Sequence, residues 1–169
     1  MLLRSLLFVP GDSEKKLAKA EGTGADALLL DLEDAVSQER LPVARGLVRD
    51  YLTSHPRDRQ QVWVRINPLN TPLALPDLVA VMAGQPDGIV LPKPLNASDV
   101  LQLDHFLSAL EERVGIAFGH TRILPVATEV AGALFSLNTY AGCSARLAGL
   151  TWGAEDLATS VGASTNKKD

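Results

Sequence analysis

Cys143 is the only cysteine among the 169 residues. That excludes a disulfide framework and a thiolate metal cluster, and it fits a reducing compartment. Histidine is nearly as scarce. His55 precedes Pro56 in a loop, His105 lies within a helical stretch, and His120 comes before a strand. None falls near the acidic groups described below, so a zinc site or a histidine-based triad finds no support. There is no basic excess either: 16 Lys and Arg stand against 20 Asp and Glu, a net charge of -4. Nucleic acid needs a basic stripe and is not expected as a partner, whereas an anionic small molecule needs only a few placed cations. No apolar run approaches the ~20 residues that span a bilayer. The opening MLLRSLLFVPGD is broken by Arg4 and closed by Pro-Gly-Asp, so it reads as a strand and not as a signal peptide. No membrane association is expected; the expectation is a soluble, cytoplasmic protein.

What is present is an ordinary globular composition, 46% apolar and 21% charged. The length suits one domain over residues 1–169 with a real core. Short apolar runs at Leu3–Val9, Asp26–Leu32, Gln61–Ile66, Gly88–Leu91, Ile123–Thr128 and Leu147–Trp152 read as strands buried on both faces. Amphipathic stretches lie between them at Ser13–Glu21, after Pro42, at Leu75–Met82, at Ser98–Val114 and at Val130–Ala141. Such alternation predicts a parallel sheet with crossover helices. Two architectures meet the pattern: an open doubly wound sheet, and a (β/α)8 barrel with about six units present, a complete barrel taking about 250 residues. Length alone favours the open sheet.

Each strand is followed by polar groups. Pro10-Gly11-Asp12 follows the first, Glu33 and Asp34 the second, Arg65 and Asn67 end the third, and Pro92-Lys93 the fourth. Thr128-Glu129 closes the fifth, and Gly153-Ala154-Glu155-Asp156 the sixth. The C-terminal ends of parallel strands share one pole, where active sites of barrels and open α/β sheets are built. Two like charges about 4 Å apart repel by about 4 kcal/mol at an effective dielectric near 20. Glu33, Asp34, Glu129 and Asp156 therefore need counter-charge. Arg65 and Lys93 supply part of it, and a hard divalent ion such as Mg²⁺ would supply more, since the ligands on offer are carboxylates.

The segments RSLLFVPGDSEKKLAKA, GADALLLDLEDAV, VWVRINPL, DGIVLPK, ILPVATEVAGAL and LTWGAEDL resemble, in order, the citrate lyase β-subunit (CitE-like) family of the HpcH/HpaI aldolase group. The resemblance implies a (β/α)8 TIM barrel of which only about six units lie in this sequence, so that the natural protein is expected to be longer. It implies an Mg²⁺-dependent lyase that cleaves or forms a carbon–carbon bond in a CoA or acyl-carrier thioester such as citryl-CoA or malyl-CoA. It also implies a homo-oligomer, trimeric or hexameric. By the same resemblance, Glu129 and Asp156 are the metal ligands and Arg65 contacts the substrate oxyanion or carboxylate. Glu33 and Asp34 hold metal-bound water or support the site.

Plainer roles stand beside these. Acids suit helix starts, so Glu129 and Asp156 also fit as N-terminal caps. Arg65 is open to an ion pair with Asp31 or Glu33, Asp31 itself reads as structural, and Lys93 is a substrate-binding residue or a solvated one. A Gly-containing turn that opens a helix presents N–H groups to phosphate, which makes Lys15, Lys16 and Lys19 candidates for the CoA phosphates; a solvated face explains them equally. Trp63 and Trp152 are expected in the core or against helices. Two rival functions are a class II pyruvate aldolase acting on a free hydroxy-oxo acid, which lacks its histidine base here, and an inactive binding or assembly module.

Overall fold

The computed structural model describes residues 3–165, so the outermost residues of the expected domain lie outside it. Five strands, β1 (Leu6–Pro10), β2 (Ala27–Asp31), β3 (Gln61–Arg65), β4 (Gly88–Leu91) and β5 (Arg122–Pro125), form one sheet in the order β1-β2-β3-β4-β5. All neighbouring pairs are parallel. The helices are α1 (Glu14–Glu21), α2 (Leu41–Ser54), α3 (Ala74–Val81), α4 (Ala97–Val114) and α5 (Ala154–Ser160).

A doubly wound sheet reverses its strand order at a switch point and carries helices on both faces. Neither happens here. The strands follow one another in sequence order. One sheet face, built from Leu28, Leu30, Val62, Val64, Ile89, Leu91 and Ile123, shares a single core with Leu17 of α1, Val48 of α2, Leu78 of α3 and Leu103 and Leu107 of α4. The opposite face carries a separate small cluster of Ala27, Leu29, Trp63, Val90 and Val126, to which no helix contributes. This is an α/β fold wound in one direction, with its helices to one side.

The local signals explain the helices. Asn96 caps α4 by accepting from Ser98 N–H, and Asp99 returns the bond to the cap in a capping box; Gly115, at φ +72°, ends it. On the helix-free face a side chain at Gly88 would sit 2.3 Å from the Trp63 ring, so the bare glycine gives the indole its place.

Three expectations are corrected. The sixth strand over Leu147–Trp152 does not form: the segment meets β5 and the residues just after it through two isolated parallel bridges, Ile123 with Leu147 and Val126 with Thr151, and a few backbone hydrogen bonds. Residues 148–150 between them are exposed and include Gly149, so no apolar face holds the segment in register. The fifth strand ends at Pro125, short of Thr128. The expected helix over Val130–Ala141 is a run of 3-10 turns over Ala131–Tyr140 in which only Ala133 and Tyr140 are buried. That stripe is too narrow to hold an α-helix, whose stability comes mostly from packing one face. Among the described residues, no helix is long and apolar enough to cross a membrane.

Candidate active site

The register of β2 and β3 sets Asp31 opposite Arg65. Arg65 donates from Nε and Nη2 to the two carboxylate oxygens of Asp31, both at 2.7 Å. Its remaining nitrogen, Nη1, stands 3.0 Å from Glu33 and 3.6 Å from Asp34, and the guanidinium lies 4.8 Å over the Phe8 ring. Asp31 also accepts from the backbone N–H groups of Glu33 and Ala35 at 3.0 and 3.1 Å. One buried carboxylate thus fixes both the arginine and the turn that presents Glu33 and Asp34. Burial works against the Arg65 charge, yet Asp31, Glu33 and Asp34 together hold the guanidinium still more firmly protonated than usual.

Lys93 follows β4 in the left-handed conformation, φ +51°, which is costly for a residue with a side chain. Its backbone N–H donates to Glu129 Oε2 at 2.6 Å. Its ammonium bonds Glu33 and lies 3.4 Å from Asp34 and 3.9 Å from Asp156. Glu129 is itself buried, 4% exposed. Gly153 brings the last segment against it: a side chain there would lie 2.3 Å from Glu129 Cγ, and Gly153 N–H donates to Thr128 Oγ1 at 2.9 Å. Helix α5 starts at the next residue and carries Asp156 in its first turn. Phe8, Asp34, Arg65, Glu129, Trp152 and Asp156 are among the residues lining an open cavity of about 300 Å³.

Five carboxyl groups (Asp31, Glu33, Asp34, Glu129 and Asp156) therefore face two cations, Arg65 and Lys93. Burial pushes the Glu129 carboxyl up to about 7; a hydrogen bond with Asp156 and the charge of Glu33 add to this, against the Lys93 N–H. Burial likewise raises Glu33 above the ordinary carboxylate range, with Lys93 and Arg65 pulling it back. Among the described residues, no group of three or more His, Cys, Asp or Glu side chains is arranged as a metal cluster. Carboxyl groups that outnumber the cations beside them fit a hard ion that takes one or two carboxylates and keeps its waters, as Mg²⁺ does.

The sequence profile described as HpcH/HpaI aldolase/citrate lyase matches residues 4–169. The chain belongs to the HpcH/HpaI aldolase/citrate lyase family. It is 37% identical over 156 residues to the citrate lyase subunit beta of Haemophilus influenzae, covering 92% of this chain and 53% of that protein. It is 39% identical over 97 residues to a (3S)-malyl-CoA thioesterase of Cereibacter sphaeroides, covering 57% of this chain and 34% of that protein. A crystal structure of the Mycobacterium tuberculosis protein CitE in complex with magnesium, acetoacetate and coenzyme A superposes with a TM-score of 0.74 at 31% identity, over 99% of this chain and 55% of that one. The chain spans about half the length of the citrate lyase subunit it matches.

Of the site residues expected for this HpcH/HpaI family chain, Arg65, Glu33, Asp34, Lys93, Glu129 and Asp156 come together. The three α1 lysines stay apart from them. Lys16 and Lys19 border a shallow apolar cavity of about 220 Å³ beside Leu7–Pro10, and Lys15 borders neither it nor the acidic cavity. Among the described residues, no histidine lines the acidic cavity; His55 and His120 line another, with Arg57 and Asp87 near the strand starts. Trp152, expected in the core, is 64% exposed at the mouth of the site. Sequence reasoning missed Phe8 and Gly153 as site builders. The signal for Phe8 was its place two residues before the end of a strand, on the same face as Leu29.

Proposed function

We propose that this chain is the catalytic part of an Mg²⁺-dependent carbon–carbon lyase on a (β/α)8 barrel. It cleaves or forms a 3-hydroxyacyl thioester of the citryl-CoA or malyl-CoA kind, carried on CoA or an acyl carrier, giving a 2-oxo acid and an acyl thioester. The reading rests above all on one observation: Glu129 and Asp156 line one cavity at the strand ends, beside an arginine locked by its own carboxylate. It is supported by the likeness to citrate lyase β-subunits and to a structure holding magnesium, acetoacetate and coenzyme A. The one-directional parallel sheet supports the barrel.

Glu129 and Asp156 would hold the ion, which when bound supplies Lewis acidity for the carboxylate and carbonyl oxygens of the 2-oxo acid. In the cleavage direction the substrate hydroxyl loses its proton, the bond electrons pass to the thioester as an enolate, and the enolate takes up a proton. Arg65 Nη1, kept in place by Asp31, donates to an oxygen that gains charge. Lys93 binds a substrate carboxylate, Glu33 and Asp34 hold ordered water or relay a proton, and Phe8 and Trp152 narrow the cavity against solvent. Lys16 and Lys19, with Lys15 beside them, offer cations to the phosphates of the carrier. A homo-oligomeric, cytoplasmic protein with residues 1–169 in a single partial barrel domain completes the reading. The absence of any histidine before His55 in the sequence counts against the class II aldolase alternative.

The test is calorimetric Mg²⁺ titration of the complete protein carrying this chain, then a panel of citryl, malyl and citramalyl thioesters and free hydroxy-oxo acids. Magnesium binding that is lost in Glu129→Ala, with 2-oxo acid released only from thioesters, is expected. Release of free thiol without a 2-oxo acid would move the assignment to thioester hydrolysis, and turnover of free acids alone would move it to an aldolase.

A further inference from the structure

Lys93 carries more contacts than a substrate-binding lysine needs. Its φ of +51° is one that glycine adopts freely and other residues adopt only at a cost. For the backbone alone glycine would serve better, because the N–H that fixes Glu129 Oε2 at 2.6 Å belongs to the main chain. What glycine would remove is the ammonium. The side chain is 30% exposed, and its ammonium reaches three carboxylates from two separate segments: Glu33 and Asp34 after β2, and Asp156 in the first turn of α5. The contact with Asp156, at 3.9 Å, is the loosest of them, and Asp156 lines the same cavity as Glu129.

We propose that Lys93 is the resident counter-cation of the acidic pole, a positioning residue whose ammonium holds Asp156 towards Glu33 and Asp34 and yields Asp156, while keeping the other two, when a divalent ion enters. The proposal rests on the metal site of the lyase reading and adds to it a competition. The lysine keeps like-charged groups together while the ion is away, and the same positive charge then opposes the ion's arrival. Its main-chain N–H and its ammonium act on different ligands, so the two roles are separable by substitution.

Lys93→Gly removes the ammonium, keeps the N–H donor and suits the backbone angle; Lys93→Arg restores the charge. Both are compared with the starting protein in its complete form by Mg²⁺ calorimetry and by thermal unfolding in EDTA and in saturating Mg²⁺. Lys93→Gly is expected to bind Mg²⁺ about tenfold more tightly, one nearby positive charge having gone. Magnesium is then expected to raise its Tm by more than it raises that of the starting protein, as linkage requires. Lys93→Arg is expected to return the affinity to within about threefold of the starting value. Unchanged or weaker Mg²⁺ binding by Lys93→Gly overturns the proposal while leaving the lyase reading intact, provided Glu129→Gln abolishes binding. If Glu129→Gln binds Mg²⁺ as before, the metal site itself is wrong and the proposal falls with it.

Discussion

Asp31 takes two nitrogens of Arg65 at 2.7 Å each, and it also accepts the backbone donors of the Glu33 turn. An arginine fastened on one side offers its free edge to the cavity without having to reorganise, the condition under which a donor stabilises developing charge most effectively. Lysine keeps the charge but not the fork. Arg65→Lys is therefore expected to lower kcat by about 100-fold or more, with thermal stability changed far less, in steady-state assays on the complete protein. Asp31→Asn works the other way. It leaves a buried guanidinium half-paired and loosens the turn, so chemical denaturation should register a loss of about 3 kcal/mol.

At the scale of elements, the acidic pole is legible in the sequence, because parallel strands all end on one side and the polar residues fall at those ends. Ion pairs of Arg65 with Asp31 or Glu33 stood as alternatives; both occur, and the register of β2 on β3 makes Asp31 the two-point partner. The left-handed angle at Lys93 and the exposure of Trp152 were not legible, since both depend on how a loop closes against its neighbours. The sixth strand was over-read for the same reason: apolar letters at 147–152 have nothing on their far side to bury them. Gly153 shows how the loop closes. An added Cβ would lie 2.3 Å from Glu129 Cγ, so Gly153→Ala should displace the carboxylate, and calorimetry should find Mg²⁺ binding weakened about tenfold or more, since a ~1 Å misplacement costs heavily in a fixed site.

A second junction fastens the approach to β5. Arg146, 3% exposed, donates to Asp104 at 2.6 Å and to both oxygens of Glu111 at 2.7 Å, while Glu111 accepts from Gly119 and Thr121 N–H at 2.8 Å. Burial opposes ionisation of Glu111, but Arg146 and the two N–H groups outweigh it and hold the carboxyl below its usual range; Asp104 is lowered likewise, burial being overcome by Ser144 and Arg146. Groups with depressed values stabilise the fold above the ordinary carboxylate range of about 4 and lose that contribution as pH falls through their folded values. Tm should accordingly fall steeply below about pH 4, and Glu111→Gln should be less stable at neutral pH by about 3 kcal/mol with a flatter acid limb.

Over the whole molecule, the helices cover one face of the sheet and leave the other to a thin apolar cluster below a charged rim. Leu6 and Phe8 stand on that second face at 37% and 48% exposure, and in a closed barrel they would be interior. The same face holds both tryptophans of the chain at different depths, Trp63 at 2% exposure over Gly88 and Trp152 at 64% beside the acidic cavity. This gives the protein two built-in optical probes. Trp63 should emit at short wavelength and resist iodide until the fold is lost, whereas Trp152 should emit further to the red and be quenched readily. Ligand entering the cavity should shield the Trp152 component alone, and Trp152→Phe should leave an emission spectrum that reports unfolding but is blind to binding.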